Sequence, residues 1–252
     1  MIKYTILPLG FFKADGGAMF GSIPKRAWSR KFPADDKNRC ALAMNACLLI
    51  AEDRLILIDT GVGSKDLGKL SYYDFFDEKD IRQVIIEQGY SPEDITDVIL
   101  SHLHFDHCGG CTYYDNTNTL QVSFPNAKHY VGKKQWESFN NPNDLEKSSF
   151  RKQDLMPIYE NGLLQWVDTP FELIPNCFID LYDGHTLGQL AVRFQADNEF
   201  IFYPGDVIPT KAHLSDEWIS AYDIEPLKSL ESKRKIKQQA QDVNARFVFY
   251  HG

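Results

Sequence analysis

No stretch of this chain approaches the roughly 18 uninterrupted apolar residues that a transmembrane helix needs. The N-terminus, MIKYTILPLGFFKADGG, has only a short apolar run between two lysines and no small-x-small cleavage site. No secretory leader is therefore expected. Basic residues are in the minority, with 27 Lys and Arg against 35 Asp and Glu, a net charge of −8. Phosphate contacts need Lys and Arg, so nucleic acid and anionic membranes are not expected partners, and a small molecule is. The five cysteines are an odd, scattered set at 40, 47, 108, 111 and 177, which is no disulfide framework. A reducing cytoplasm is the expected compartment. Cys108 and Cys111 form one CxxC, readable as a redox pair or soft metal ligands, or as two small buried residues on a tight turn. No second CxxC completes a four-cysteine site, and no Gly-x-Ser-x-Gly elbow supplies a serine nucleophile.

What is present is a core. Of the 252 residues 43% are hydrophobic and 13% aromatic, enough for one large domain spanning 1–252. Apolar runs of strand length recur at 46–50, 55–58, 97–100, 178–181, 190–194, 200–203 and 246–250, each followed by a polar or glycine-containing turn. Helical spacing marks 80–88, which stops at Gly89. It also marks 226–244, where Leu227, Leu230, Ile236, Ala240 and Val243 can line one face and the lysine-rich 233–237 reads as solvated. Residues 138–153 are polar and read as a surface excursion. The class is α/β.

Residues 102–107 read His-Leu-His-Phe-Asp-His. Imidazole nitrogen and carboxylate oxygen are ligands that first-row divalent metals prefer, and four of them this close would be costly without a cation. His185, Asp206 and His251 each stand just beyond an expected strand, where loops of α/β sheets place their sites. A lone strand-end histidine is ordinarily a hydrogen-bonded core or surface residue, as His129 is here expected to be. Three such residues joining a HxHxDH cluster reverse that reading. Seven ligands are too many for one tetrahedral ion and suit two, with a carboxylate between them. In a loop leaving a strand, His102 and His104 can point the same way, while Asp106 and His107 open the next helix and face a neighbouring point.

HxHxDH followed by a distant His, an Asp and a final His resembles the metallo-β-lactamase superfamily, as does Asp59-Thr60-Gly61. The segment Asp15 to Gly21 with Pro24-Lys25 and Trp28, and the run Gly205-Asp206-Val207-Ile208-Pro209-Thr210 with His213, Trp218 and Ala221-Tyr222-Asp223, resemble the branch holding N-acyl homoserine lactone lactonases and methyl parathion hydrolase-like enzymes. The resemblance implies an αββα sandwich of two mixed β-sheets flanked by helices. It implies one metal on His102, His104 and His185, a second on Asp106, His107 and His251, and Asp206 bridging both. It implies two divalent ions, zinc first and Mn, Fe or Co as alternatives, and a homodimer in which residues 1–40 shape the pocket or the interface. Family members commonly continue past the last His, often with Asp, where Gly252 stands here.

Hydroxide formed between two such ions can attack a carbonyl or phosphoryl centre, with Asp106 as the proton carrier. Met19, Phe20, Trp28, Trp218 and Tyr222 could form an apolar wall for an acyl chain or aromatic leaving group, or could equally be ordinary core. His213 could bond substrate or a metal ligand, or cap local backbone. The leading expectation is opening of a lactone, an N-acyl homoserine lactone first, with loss of a quorum signal. The alternatives are an organophosphate triester or aryl ester hydrolase, and an iron-dependent oxidoreductase acting on a thiol.

Overall fold

A computed structural model describes residues 1–65 and 67–252. Thirteen strands among the described residues follow in chain order. The first half supplies β1 (Ile2–Asp15), β2 (Arg39–Ala51), β3 (Arg54–Ile58), β4 (Asp97–Ile99), a small separate hairpin of β5 (Thr112–Tyr114) and β6 (Leu120–Val122), then β7 (Lys128–Gly132) and β8 (Leu164–Val167). The second half supplies β9 (Phe171–Ile174), β10 (Cys177–Tyr182), β11 (Gln189–Ala196), β12 (Glu199–Tyr203) and β13 (Arg246–Phe247). The helices are α1 (Gly16–Phe20), α2 (Lys25–Trp28), α3 (Ile81–Glu87), α4 (Phe105–Cys108), α5 (Lys133–Asn140), α6 (Lys152–Glu160) and α7 (Pro226–Asp242). No helix among the described residues is long and apolar enough to cross a membrane.

The order β1-β2-β3-β4-β7-β8 makes one mixed sheet, antiparallel over its first three strands and parallel from β3 onward. The strands β9-β10-β11-β12-β13 make a second. The two expected sheets run into one another, because Ile2 of β1 forms a single parallel bridge to Ala196 of β11. Period-two alternation divides the side chains of the second sheet. Val192, Phe194, Ile201 and Tyr203 join the main core with Leu7, Leu9, Met44 and Leu48 of the first sheet. Ala191 and Phe202 face the other way, onto Ile236 and Ala240 of α7.

Several local expectations change. β1 is the longest strand and central to the fold, although its pattern is hard to read. Leu7 and Leu9 are buried, then Phe12 and Ala14, because a register shift between Pro8 and Phe11 moves the alternation by one residue. Gly10 sits at that shift with φ +107°, and a Cβ there would lie 2.7 Å from the Asp77 carbonyl. The last strand is shorter than its apolar run, ending at Phe247, so that Tyr250 and His251 belong to a turn. On α7 the buried residues are Ser229, Lys233, Ile236 and Ala240, whereas Leu227 is 78% exposed. Lys233 is thus not solvated. Its Nζ donates to the Trp218 carbonyl at 2.6 Å and the Ser215 carbonyl at 3.2 Å, tying α7 to the loop beside the site. Burial pushes the Lys233 ammonium down to about 8. Cys108 and Cys111 are buried free thiols, bonded to the Leu103 carbonyl and to Thr60 Oγ1.

Candidate metal centre

The strand ends bring the seven expected residues together. The first sheet delivers His102, His104, Asp106 and His107 on the loop and short helix that follow β4. The second delivers His185 after β10, Asp206 after β12 and His251 after β13. All seven are at least nine-tenths buried. Gly205 lets the Asp206 loop come close, with φ +53° and a position where a Cβ would meet Gln189 Nε2 at 2.6 Å and Ser101 Cβ at 2.9 Å.

Ligand atoms converge in two triads, His102–His104–His185 and Asp106–His107–His251, and in a third group, His102–His107–Asp206, that spans them. Two donors held about 2.05 Å from one tetrahedral ion stand about 3.3 Å apart. The separations match that figure. His104 Nδ1 is 3.3 Å from His185 Nε2, and Asp106 Oδ2 is 3.6 Å from both His107 Nε2 and His251 Nε2. Asp206 reaches both triads, its Oδ2 at 3.6 Å from His185 Nε2 and 3.2 Å from His251 Nε2, its Oδ1 at 3.4 Å from His107 Nε2. His102 Nε2, His107 Nε2 and Asp206 Oδ1 are buried without a hydrogen-bond partner. Orphaned acceptor atoms aimed at common points fit a pair of cations.

The outer nitrogens are fixed by bonds that select the tautomer. His251 Nδ1 donates to the Ala43 carbonyl at 2.8 Å, which can only accept. His185 Nδ1 bonds Asp223 at 2.9 Å. His107 Nδ1 bonds Asp59 Oδ2 at 2.9 Å. The Ser101 hydroxyl donates to that same oxygen at 2.7 Å and receives His102 Nδ1 at 3.1 Å. Each of these four rings therefore turns its Nε2 lone pair inward. Asp59 is the hub, fully buried, also accepting from the Ser101 amide at 2.7 Å and the Tyr203 hydroxyl at 2.9 Å. It stands at φ +58°, a conformation that Asp and Asn tolerate better than other side chains.

Charge within the cluster is mutually dependent. Without a cation, burial opposes a charged His107, yet Asp206, Asp106 and Asp59 outweigh it and raise its pKa well above the ordinary range, so a cation taking the Nε2 lone pair has to displace a proton there. Burial likewise opposes an ionised Asp206, but His251 and His107 hold it well below. Burial and the neighbouring His107 and His104 keep His102 neutral.

A cavity of about 150 Å3 opens over the cluster. Its floor is His104, Asp106, His185, Asp206 and His251, and its walls include Phe12, Met19, Leu42, Phe105, Tyr73 and Tyr222. Among the described residues lining it there is no Lys or Arg. Of the residues expected to form an apolar wall, Met19 and Tyr222 reach the cavity. Phe20, Trp28 and Trp218 do not. They pack behind it with His213 as a buried cluster around the Phe20 ring. His213 uses both nitrogens internally, on Thr210 Oγ1 at 2.8 Å and the Met19 carbonyl at 3.0 Å, and so braces the wall. His129 is buried on β7. Sequence reading missed Asp59 and Asp223 as the groups that orient the ligands, although both lie within the motifs it singled out. It also missed Tyr73 and Glu146 in the cavity wall, which no spacing signals.

The sequence pattern of the Metallo-beta-lactamase superfamily matches residues 42–251. The chain is similar to the N-acyl homoserine lactonase AiiA of Bacillus thuringiensis subsp. kurstaki, with 22% identity over 216 residues, covering 81% of this chain and 79% of the relative. A probable metal-dependent hydrolase from Staphylococcus aureus superposes with a TM-score of 0.91 at 30% identity, over 99% of this chain and 89% of the other. AidC, a dizinc quorum-quenching lactonase, superposes with a TM-score of 0.76 at 24% identity, over 99% and 87%.

Proposed function

The chain belongs to the metallo-β-lactamase superfamily and is a metal-dependent hydrolase, and on that premise we propose that it opens a lactone ring, with an N-acyl homoserine lactone as the substrate of choice. The observation that carries this reading is a two-triad floor beneath a small cavity with no cationic wall. Among the described residues no Lys or Arg lines the cavity to receive a permanent anion such as a nucleic acid phosphate. A neutral ester would need none. Space of about 150 Å3 admits roughly a benzene-sized ring, and the tail of a longer substrate would leave past Tyr222 and Leu145, both partly exposed at the rim. The relatives named as N-acyl homoserine lactonases support the same substrate class.

His102, His104 and His185 would hold one divalent cation, Asp106, His107 and His251 the other, and Asp206 both, with zinc the first choice. Such a pair supplies an acidified water and a Lewis acid for the acyl oxygen. The protein's own part is positioning and proton transfer. Asp106, at the cavity floor, receives the proton released as the water oxygen bonds to the acyl carbon. It returns that proton to the ring oxygen as the acyl C–O bond breaks. Tyr73 and Tyr222 line the cavity, and a phenol is protonated near neutral pH, so both are available as hydrogen-bond donors to the substrate. The aromatic walls also suit an aryl leaving group, which keeps the aryl ester or triester reading as the second one.

The test is metal quantification on natively purified protein, followed by a series of acyl homoserine lactones assayed against a paraoxon-type triester. Two divalent ions per chain with lactone turnover are expected. Rapid triester hydrolysis without lactone turnover would replace the substrate assignment. About one iron per chain with oxygen consumption would replace the reaction class by a thiol-directed oxidoreductase.

A further inference from the structure

His104 differs from the other four imidazoles of the cluster. It turns Nδ1, not Nε2, toward its triad, 3.3 Å from His185 Nε2. Its outer nitrogen has no hydrogen-bond partner. The group facing that nitrogen is Glu146 Oε1, 3.8 Å away, which also has none. Glu146 is 2% exposed, although it follows Leu145, which is 75% exposed, in a polar stretch. Its other oxygen accepts from Asn143 Nδ2 at 2.7 Å, and Asn143 Oδ1 in turn accepts from the Glu146 amide. The Ser149 carbonyl accepts from the Phe105 amide, tying the same stretch to the helix that carries Asp106.

A buried carboxylate oxygen with no donor is expensive to maintain. An imidazole with neither outer partner nor fixed tautomer is a poor ligand. Each supplies what the other lacks. Once a cation takes the Nδ1 lone pair, the proton must sit on Nε2, and a shift of about 1 Å would bring Glu146 to the 2.7–2.9 Å of a charge-assisted bond. We propose that Glu146 is a positioning residue for the His102–His104–His185 triad, and that its bond to His104 couples cation binding at that triad to the seating of residues 143–149 against the cavity. The proposal rests on the ligand assignment above. It makes one wall of the substrate pocket, including Leu145, dependent on the metal.

The experiment uses chelator-stripped protein titrated with Co2+, followed by absorption, by thermal melting and by tryptic cleavage after Lys147. The wild type should bind two ions and lose cleavage at Lys147 as they bind. Glu146→Leu should melt no lower than the wild type without metal, since replacing a buried charge by an apolar group of similar size is often neutral or stabilising. It should bind one of the two ions about 10- to 100-fold more weakly, and Lys147 should stay cleavable at Co2+ levels that protect the wild type. Glu146→Gln keeps an acceptor oxygen and should restore most of that affinity. A Glu146→Leu protein that binds both ions like the wild type would overturn the proposal alone. Equal loss of both ions, or no rescue by Gln, would overturn it as well. A wild type that binds no cation would instead overturn the metal assignment beneath it.

Discussion

Replacing Asp59 by asparagine exchanges one oxygen for an amino group and should loosen both cations. Asp59 Oδ1 accepts from the Ser101 amide, and Oδ2 accepts from Ser101 Oγ, His107 Nδ1 and Tyr203 OH, all within 2.9 Å. An asparagine tolerates the φ of +58° equally well, so the backbone need not move. Its carbonyl oxygen can take only one of the two places. An amino group opposite the Ser101 amide would set two donors against each other, and that amide cannot turn. The amino group therefore takes the Oδ2 place. Tyr203 can redirect its hydroxyl to the Asn45 carbonyl, 3.3 Å away. The other neighbour of His107 Nδ1 is the Ser101 hydroxyl, 3.3 Å away, and that oxygen now takes the asparagine amino group. His107 Nδ1 must become the acceptor, which moves the proton to Nε2, the atom that should face the cation. The Ser101 hydroxyl, now accepting from the amide, turns its proton to His102 Nδ1 and reverses that ring too. Binding a cation would then forfeit about one buried hydrogen bond per ring, about 1–3 kcal/mol. At 1.4 kcal/mol per decade this centres on a 10- to 100-fold rise in each Kd. Competition against a chromophoric chelator measures the affinities, and 15N shifts of the histidine rings report the tautomers. Wild-type affinity for both ions, with His107 still protonated on Nδ1, would refute the reasoning.

Three further outcomes can be checked. Asp106→Asn should lower kcat by about 100-fold or more while the thermal midpoint of the metal-free protein barely moves; an active variant with full metal content would remove Asp106 as proton carrier. His129, buried on β7, is pushed down to about 4 by desolvation, so the stability it contributes is fully present above about 6.5 and is lost as pH falls toward 4. The urea-unfolding free energy of metal-free protein should therefore fall by up to about 1.4 kcal/mol per pH unit more in the wild type than in His129→Gln across that window; parallel profiles would contradict this. Phe20→Ala should cost about 3–5 kcal/mol of stability yet leave KM for the proposed substrate nearly unchanged, because the ring stands behind the cavity wall; a large KM change with little loss of stability would put it in the pocket.

The parts of the site that the sequence made legible are those in which a ligand directly ends an apolar run. Residues 97–100 lead into His102, and 200–203 into Asp206, so strand and ligand announce each other. The groups that orient the ligands were harder to see. Asp59 and Asp223 are ordinary strand-end and loop acids until the fold brings His107 and His185 against them. Lys233 and Glu146 lie in polar stretches whose average character is solvated, yet both are buried, Lys233 on two loop carbonyls and Glu146 on Asn143 and facing the His104 ring. Composition averages over such stretches and cannot mark one member as buried. The strand β1 escaped for a geometric reason, since the shift between Pro8 and Phe11 breaks its alternation midway.

The single bridge between Ile2 and Ala196 joins two sheets that each contribute part of the cation site. During synthesis, His102 to His107 emerge well before His185, Asp206 and His251, and neither triad can close until strands of the second sheet have followed. A nascent chain would thus expose a partial set of donors to cellular metal without being able to hold two ions in register. Loading would follow the pairing of the two sheets, and metal content would then report how many chains have brought them together.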